Sequence, residues 1–179
     1  MIIIDLSKND SDKIHQTALL LQESFEAWST YESALSEVME SLQEDRISRV
    51  LVNDEGDVIG WIGGQSQYSG NVWELHPLVI YAAYRRKGYG KKLIEDLEKQ
   101  VAARGGVTIF LGSDDEYNQT NLSNHYLYAD IPSFIQKFHS DDHPVNFYMK
   151  MGFVITGLIP DANGIGKPDI LMAKRVSRV

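Results

Sequence analysis

The sequence predicts an α/β (α+β) protein built on a mixed sheet. Its 179 residues, 43% of them hydrophobic, suit one compact domain with a substantial core. Hairpin signals such as residues 54–57 (DEGD) separate strand-like segments, which indicates antiparallel neighbours. A helical segment over residues 88–104 then joins two further strands as a crossover connection. Hairpins combined with a crossover helix indicate a sheet that is mixed and not wholly parallel.

The first half of the chain predicts four strands and two helices. The strands cover four apolar or alternating segments: residues 2–6, 46–53, 58–68 and 71–81. Asp12 is expected to cap the first helix, and the second helix covers residues 31–45. The buried face of the first helix is expected from residues at helical spacing: Ile14, Ala18, Leu21, Phe25 and Trp28.

The second half predicts helix 88–104, stopped by Gly105 and Gly106, and then a strand over residues 107–111. Residues 113–140 are polar and show no clear pattern. A short helix opens at His143-Pro144, with the proline at its first position. Two final strands, 153–159 and 169–176, flank the turn PDANGIGKP. A single domain over residues 1–179 is expected.

Composition limits the classes of function. The chain has no cysteine, which excludes disulfides, thiolate zinc sites and cysteine nucleophiles. No apolar run approaches the roughly 20 residues of a membrane helix, and no signal peptide is recognisable. A cytoplasmic protein is expected, so the N-x-S/T sequences at Asn118 and Asn121 are interpreted as accidental.

The net charge of −8 argues against a general nucleic-acid binder. The excess of acidic residues serves solubility, or some of them line a pocket for a cationic substrate. Positive charge is concentrated in one short segment: Arg85, Arg86, Lys87, Lys91 and Lys92. Such a cluster in an acidic protein indicates a local phosphate site.

The segment around this cluster reads as strand, turn and helix. The turn has the pattern Arg85-x-x-Gly88-x-Gly90, in which glycines let the backbone approach an anion at the start of a helix. Glycine and arginine before a helix are common, so the pattern alone is weak. Other nucleotide and hydrolase patterns are absent from the sequence: Walker A, H-E-x-x-H, G-x-S-x-G, and G-x-G-x-x-G after the first strand.

The strand before the turn makes the site more specific. Alternation places Glu74, His76 and Leu78 on one face. Pro77 interrupts the ladder of this strand, which predicts either a bulge or a splayed strand. A splay would leave backbone groups free for an extended ligand, and the N–H of Leu78 free for an oxyanion.

These features together resemble the GCN5-related N-acetyltransferase (GNAT) family, and within it the aminoglycoside 6'-N-acetyltransferases. The R-x-x-G-x-G turn is shared by the whole family, whereas WELHP and KPDI-x-MAK are narrower. The similarity spans residues 68–174, and residues 1–60 match mainly in layout. Five segments carry it: WELHPLV (73–79), RRKGYG (85–90), RGGVTIFLGSDD (104–115), HPVNFYMKMGF (143–153) and PDANGIGKPDILMAK (160–174).

The resemblance implies a GNAT fold, with a mixed central sheet splayed between strands β4 and β5 and helices on both faces. It implies that acetyl-CoA, the co-substrate, lies in the splay with its pyrophosphate on the turn. The implied acetyl-CoA-binding residues are Leu78, Val79, Arg85, Arg86, Lys87, Gly88, Tyr89, Gly90 and Lys91. No metal is expected.

The resemblance also implies catalytic roles. Glu74 is the candidate general base, acting directly or through a water, and the N–H of Leu78 is expected to bind the thioester carbonyl. Tyr148 is expected to protonate or hydrogen-bond the departing thiolate. Direct attack by the amine in a ternary complex is expected, since no cysteine is present to carry an acetyl group. The implied acceptor-binding residues are Trp28, Glu74, His76, Asp114 and Asp115.

Structural explanations remain open for the candidate polar and aromatic residues. Glu74 is alternatively a paired strand carboxylate, His76 a packing residue, and Tyr148 a core residue beside Phe147 and Met151. Asp114 and Asp115 are alternatively part of a solvated loop. Core packing also explains Trp28 and Tyr31. The ANGIGKPD turn superficially resembles a phosphate loop, but Pro168 stands where a Walker Ser or Thr would be needed, so the turn is interpreted as a hairpin.

A group of acidic and imidazole side chains near the short helix superficially resembles a metal site: His139, Asp141, Asp142 and His143. Helix capping by Asp142 or His143 is the preferred interpretation.

Two other functions remain open. One is acetyl transfer to another cationic amine, such as a polyamine, a peptide N-terminus or a small metabolite. The other is a noncatalytic acyl-CoA-binding module. A homodimer is implied by the resemblance, and neither a nucleic-acid nor a membrane partner is expected.

Overall fold

The computed structural model of the protein describes residues 1–176, which form two compact units. One unit comprises Met1–Ile109 together with Val176, and the other comprises Phe110–Arg175. The single-domain expectation stays a prediction, and residues 177–179, which it includes, lie outside the described residues.

The first unit contains four antiparallel strands and three helices. The strands follow one another in space as in sequence: β1 (Ile2–Asp5), β2 (Arg46–Val52), β3 (Val58–Gln67) and β4 (Val72–Ile80). The helices are α1 (Ser11–Ser24), α2 (Tyr31–Glu40) and α3 (Tyr89–Ala103). Short 3₁₀ turns occupy Glu26–Trp28, Tyr68–Gly70 and Ala82–Tyr84. The predicted order of these elements is confirmed.

Two helix boundaries differ from the prediction. Asp10, not Asp12, caps α1, because its carboxylate accepts the backbone N–H of Lys13 at 3.1 Å. Asp12 instead lies in the first turn, where the helix dipole favours a carboxylate. Helix α2 ends at Glu40 and not at residue 45; the buried Ser41 is its C-cap and donates its hydroxyl to the carbonyl of Val38 at 2.6 Å.

Helices cover both faces of this sheet. On one face, α1 and α2 pack apolar side chains such as Leu21 and Val38 around the fully buried Trp61 of β3. On the other face, α3 buries its four predicted residues: Leu93, Ile94, Leu97 and Val101. Gly60 and Gly64 of β3 face Leu93 and Leu97, because a Cβ on either glycine would contact those leucine side chains. The alternation of β3 therefore separates two helical layers.

Strand β5 (Thr108–Asp114) starts in the first unit. The N–H groups of Val107 and Thr108 both donate to the carbonyl of Asn71, at 2.9 and 3.3 Å. Asn71 immediately precedes β4, so β4 and β5 begin side by side and run in the same direction. This parallel start beside an antiparallel meander confirms the mixed sheet.

In the second unit the strand order is β5, β7 (Asp169–Arg175), β6 (Val154–Ile159), and β6 and β7 are antiparallel. The connection between β6 and β7 is the hairpin expected from PDANGIGKP. The polar segment 113–140 contains helix α4 (Ile131–Gln136), a 3₁₀ turn at Leu127–Ala129, and a bridge between Thr120 and Ser140. Helix α5 (Val145–Lys150) precedes β6.

None of the helices in residues 1–176 is long and apolar enough to cross a membrane.

Candidate functional site

Strand β4 presents the faces expected from its sequence. Trp73, Leu75, Pro77 and Val79 are buried. The opposite face carries more exposed side chains: Glu74 and Leu78 are half-buried, and His76 is exposed. The side chains of Glu74, His76 and Leu78 therefore share one face of β4.

The interruption at Pro77 is a bulge in the β3–β4 ladder. Gly64 of β3 pairs with Leu75, whereas Ile62 pairs with Leu78, so β4 has one residue more than β3 across this step. Of the two geometries left open by the sequence, the β3–β4 pairing shows the bulge.

Gly63 makes this bulge sterically possible. A Cβ built on Gly63 would overlap the carbonyl oxygen of His76 and approach its carbonyl carbon to 3.0 Å. Only a residue without a side chain lets the two backbones come this close. The glycine of β3 thus helps to set the position of the candidate residues on β4.

The carboxylate of Glu74 makes no hydrogen bond and no ion pair in the described part of the chain. The alternative of a paired strand carboxylate therefore finds no partner there. Directly across the ladder lies Gln65, whose side-chain oxygen accepts from Nη1 of Arg46 at 2.6 Å. A half-buried carboxylate without a partner is available as a proton acceptor.

His76 contacts two residues of the first unit. Its ring lies 5.7 Å from the ring of Trp28 between centroids, at an interplanar angle of 56°. Its Nε2 lies 3.7 Å from Oε1 of Glu37, a residue of α2. The sequence analysis overlooked Glu37, since nothing in a helical pattern shows which strand residue a carboxylate will meet.

Core packing and the candidate site both use the aromatic residues near α1 and α2. Trp28 and Tyr31 are partly buried against the core. Trp28 also makes an edge-on contact with Phe25 at 5.5 Å, and the hydroxyl of Tyr31 lies 2.8 Å from Nδ1 of His15. Trp28 also contacts the ring of His76, so this residue belongs both to the core and to the candidate site.

The turn between β4 and α3 has the geometry of an anion site. Arg86 and Gly88 have left-handed backbones, with φ of 59° and 82°. Gly88 is the N-cap of α3 and provides no side chain to bond the first N–H groups of the helix. In the described part of the chain, the N–H groups of Tyr89, Gly90 and Lys91 have no acceptor. The space around Gly88 is open, with nothing within 4 Å of a built Cβ. These residues fit a phosphate group.

Several basic side chains of the turn bond to its own backbone. Nε of Arg85 donates to the carbonyl of Ile80 at 2.9 Å, and Nζ of Lys87 donates to the carbonyl of Ala83 at 2.8 Å. Lys91 pairs with Glu95 at 3.7 Å. Arg85, Arg86 and Lys87 are all exposed. The turn thus presents positive charge on a backbone that its own side chains support.

The two neighbouring aspartates at the end of β5 differ sharply. Asp114 is exposed; its side chain accepts from Nδ2 of Asn163 at 2.5 Å and its carbonyl lies 3.0 Å from Nε2 of His143. Asp115 is completely buried. Both carboxylate oxygens of Asp115 are occupied by donors of the following loop: the N–H of Gln119 at 2.7 Å, the N–H and hydroxyl of Thr120 at 3.0 and 2.7 Å, and the hydroxyl of Ser123.

These donors decide the ionisation of Asp115. Burial alone would raise the pKa of this carboxyl, but the hydrogen bonds from Ser123, Thr120 and Gln119, with the nearby His143, outweigh burial and lower the pKa. The carboxylate organises the loop, in contrast to the acceptor-binding role expected from the sequence.

Tyr148 is half-buried on α5, within the second unit. Its ring meets Phe147 and Phe153 edge-on, at centroid distances of 5.3 and 5.7 Å. Loss of hydration raises the pKa of the phenol, and no hydrogen bond to its hydroxyl occurs within the described residues. The hydroxyl therefore keeps its proton at neutral pH.

The start of α5 differs from the prediction by one position. Pro144 is the N-cap and not the first helical residue. Neither Asp142 nor His143 is therefore the N-cap, although Nδ1 of His143, one position earlier, accepts the N–H of Val145 at 3.3 Å. Among the described residues, no group of three His, Asp or Glu side chains could hold a metal ion.

Comparisons with known proteins place these features in a family. The acetyltransferase (GNAT) family model matches residues 14–129. A solved aminoglycoside 6'-N-acetyltransferase complexed with coenzyme A is 38% identical, covering 99% of this chain and 98% of that chain, with a TM-score of 0.94. The aminoglycoside 6'-N-acetyltransferase from Enterococcus faecium is also 38% identical over the same shares, with a TM-score of 0.91.

More distant structures share the fold alone. The ribosomal-protein-S18-alanine N-acetyltransferase from Escherichia coli is 17% identical over 99% of this chain and 95% of that chain, with a TM-score of 0.66. A comparison of the chain with curated proteins found no match. Since the family model covers more than half of the chain and the similarity to two solved structures spans nearly all of it, the protein belongs to the GNAT family of acetyltransferases and has its mixed α/β fold.

Proposed function

We propose that the protein is an aminoglycoside 6'-N-acetyltransferase, which transfers the acetyl group of acetyl-CoA to the 6'-amine of an aminoglycoside. The observation that carries the proposal is the 38% identity, over 99% of the chain, to an aminoglycoside 6'-N-acetyltransferase complexed with coenzyme A. The geometry of β4 and the following turn supports it, because an anion site and an unpaired carboxylate belong to the same unit.

The turn is proposed to bind the pyrophosphate of acetyl-CoA. The N–H groups of residues 86–91 and the positive end of α3 supply the attraction, which at a helix N-terminus is typically about 0.3–1 kcal/mol and up to about 2. Arg85 and Lys87 add charge-assisted contacts. Leu78 and Val79 precede this turn on β4 and are proposed to bind the acyl end.

Glu74 is the proposed general base. An aminoglycoside amine is largely protonated near neutral pH, and each pKa unit above ambient pH costs about 1.4 kcal/mol before the neutral amine can attack. Glu74 takes the proton, directly or through a water. The amine nitrogen then attacks the carbonyl carbon, and the N–H of Leu78 stabilises the developing oxyanion by about 2.7–4 kcal/mol. The tetrahedral adduct loses its second amine proton to solvent and collapses to the amide as the C–S bond breaks. The CoA thiolate leaves and takes up a proton from solvent.

Tyr148 is proposed to donate a hydrogen bond to the departing thiolate. Burial raises the pKa of the phenol, and an ordinary thiol has a pKa of about 8.5. Full proton transfer from phenol to thiolate is therefore uphill, whereas a hydrogen bond costs nothing in ionisation. We assign Tyr148 the role of donor and not that of the final proton source.

The acceptor is proposed to contact Trp28, His76 and Asp114, whose side chains have exposed surface. Asp115 is left out of the proposed acceptor site, because it is completely buried and the donors of its own loop occupy its carboxylate.

The test is a steady-state assay that follows release of the CoA thiol with a kanamycin-like acceptor. Replacing the base by Glu74→Gln is expected to lower kcat/KM by about 10²–10⁴-fold. Glu44→Gln, an exposed site on the α2–β2 connection, is the matched control and should leave the rate unchanged. Full activity of Glu74→Gln would refute its role.

The same assay separates the other functions. Faster turnover of a polyamine or a peptide N-terminus than of any aminoglycoside would identify another amine as the substrate. Binding of CoA by calorimetry without turnover of any amine would indicate a noncatalytic module.

We also propose that the protein is a homodimer and acts in the cytoplasm. Membership of the GNAT family supports the first point, and the absence of cysteine supports a reducing compartment. Sedimentation equilibrium at micromolar concentration tests the oligomeric state, and a monomeric mass would contradict a dimer.

A further inference from the structure

Glu37 lies at the edge of the buried face of α2. Thr30 is the N-cap of α2, and its hydroxyl accepts the N–H of Ser33 at 3.2 Å. Ala34 and Val38 are fully buried and direct one face of the helix into the core. Glu37 immediately precedes Val38, and its side chain keeps 22% of its surface exposed. Packing of α2 therefore fixes the position of this carboxylate.

Three side chains from separate elements of the first unit meet here. Oε1 of Glu37 lies 3.7 Å from Nε2 of His76 on β4. The ring of Trp28, from the 3₁₀ turn after α1, lies against the same imidazole. We call Glu37, His76 and Trp28 the imidazole cluster. His76 keeps 44% of its side chain exposed, so the cluster is open to a ligand.

Folding stability does not account for this arrangement. A contact at 3.7 Å with this much exposure contributes little to folding stability, even with a protonated imidazole. Within residues 1–176, no hydrogen bond reaches the Glu37 carboxylate, so it keeps acceptor capacity. Glu74, two residues before His76, lies on the same face of β4. The face of β4 that carries the proposed base thus has a second carboxylate, Glu37, beside its imidazole.

We propose that Glu37 binds an ammonium group of the acceptor other than the one that reacts, and so determines specificity for polyamines of the aminoglycoside type. This inference rests on the proposed function. The reacting amine must lose its proton near Glu74, whereas the remaining amines stay charged and require carboxylate partners. The rings of His76 and Trp28 lie beside this carboxylate and give the sugar ring an aromatic surface next to the charge.

The test is the Glu37→Gln variant, which keeps the shape of the side chain and removes its charge. Loss of one charge-assisted hydrogen bond predicts a rise of about tenfold or more in the KM of the aminoglycoside. The kcat and the KM of acetyl-CoA should change by less than about threefold, because neither the base nor the turn is altered. Glu32→Gln, an exposed site on the same helix, should match the wild type. Glu37→Asp should recover part of the loss.

A pair of kanamycins that differ in a single amino group shows which amine is bound. If Glu37 binds that amine, the KM values of the two kanamycins should differ for the wild type and should be equal for Glu37→Gln. An unchanged acceptor KM in Glu37→Gln would overturn the inference.

Failure of the proposed function has a different signature, namely no turnover of aminoglycosides by the wild type. In that case calorimetry with the aminoglycoside on the CoA-bound protein decides the inference. Weaker binding to Glu37→Gln would support it, and equal binding or no binding to wild type and variant would overturn it.

Discussion

Gly63 shows at the residue scale how an absent side chain shapes the candidate site. It lies opposite the bulge of β4, where the carbonyl of His76 occupies the space that a Cβ would need. The bulge in turn sets the spacing between Glu74 and Leu78, the proposed base and oxyanion donor. A substitution at Gly63 of β3 is therefore expected to displace the backbone of β4 at the bulge.

Gly63→Ala is expected to lower the free energy of unfolding by about 1–3 kcal/mol, the usual cost of forcing extra volume into a packed site. The affected atoms are backbone, so a rotamer change cannot relieve the overlap. Urea unfolding measures the effect. Gly157→Ala is the control, because its Cβ would meet only Leu171 at an ordinary 3.7 Å. Equal stability of the two variants would contradict the proposed steric role of Gly63.

Asp115 gives a second prediction at this scale. Asp115→Asn removes a buried charge that accepts several hydrogen bonds, so the free energy of unfolding near pH 7 should fall by about 1.5–3 kcal/mol. The pKa of Asp115 is lowered in the folded protein. Its contribution is thus present above the unfolded pKa of about 3.9 and is lost as the pH falls through that value towards the folded pKa.

Urea unfolding at a series of pH values measures this dependence. The stability difference between wild type and Asp115→Asn should shrink below about pH 4. Asp114→Asn, at the exposed neighbour, should change stability by less than about 0.5 kcal/mol. A difference for Asp115→Asn that rises as the pH falls would have the wrong sign for this account.

At the scale of elements, Arg49 joins three parts of the first unit. Its guanidinium on β2 is buried, with Nε 2.7 Å from Asp96 of α3 and Nη1 2.7 Å from Asp5 of β1. Burial alone would lower the pKa of Arg49, but its hydrogen bonds to the two carboxylates outweigh burial and raise it. The guanidinium thus adds a charged link to the apolar packing that holds α3, the helix of the proposed pyrophosphate site, on the sheet.

Asp96 and Asp5, the two partners of Arg49, should contribute unequally to the free energy of unfolding. The side chain of Asp96 is 18% exposed and accepts two hydrogen bonds, whereas Asp5 is 78% exposed. Asp96→Asn is expected to cost about 1.5–3 kcal/mol of unfolding free energy. Asp5→Asn should cost less than about 1 kcal/mol, as exposed pairs do. Thermal unfolding of both variants tests the contrast, and equal losses would be inconsistent with it.

At the scale of the whole molecule, charge distribution should govern the response to salt. The protein has a net charge of −8, while its positive side chains cluster in the turn after β4. An acceptor with several ammonium groups is attracted by the overall charge. Acetyl-CoA is attracted locally by the turn and repelled by the rest of the molecule, so these two effects oppose each other.

Raising NaCl from about 0.05 to about 0.5 M is therefore expected to increase the KM of the aminoglycoside several-fold, because the Debye length falls to a few ångströms. The KM of acetyl-CoA should change less. Initial rates at a series of salt concentrations provide the measurement, with sucrose as an uncharged control for viscosity. A larger effect on acetyl-CoA than on the acceptor would contradict this assignment of charge.

Local sequence determined the order of elements. Hydrophobic periodicity, turn residues and glycines act over a few positions, so the two faces of β4, the buried face of α3 and the glycine turn before α3 were all predictable. Helix ends were less so, because Asp10 and Asp12 are equally suitable caps until the backbone geometry chooses one.

Only the tertiary structure decided which side chains meet. It showed that Pro77 makes a bulge opposite Gly63, that Asp115 is buried within its loop while Asp114 is exposed, and that Glu37 lies beside His76. Each of these contacts joins residues whose proximity depends on strand register, loop closure or helix packing. Spacing along one chain records none of these, because a contact between elements is set by the packing of the whole core.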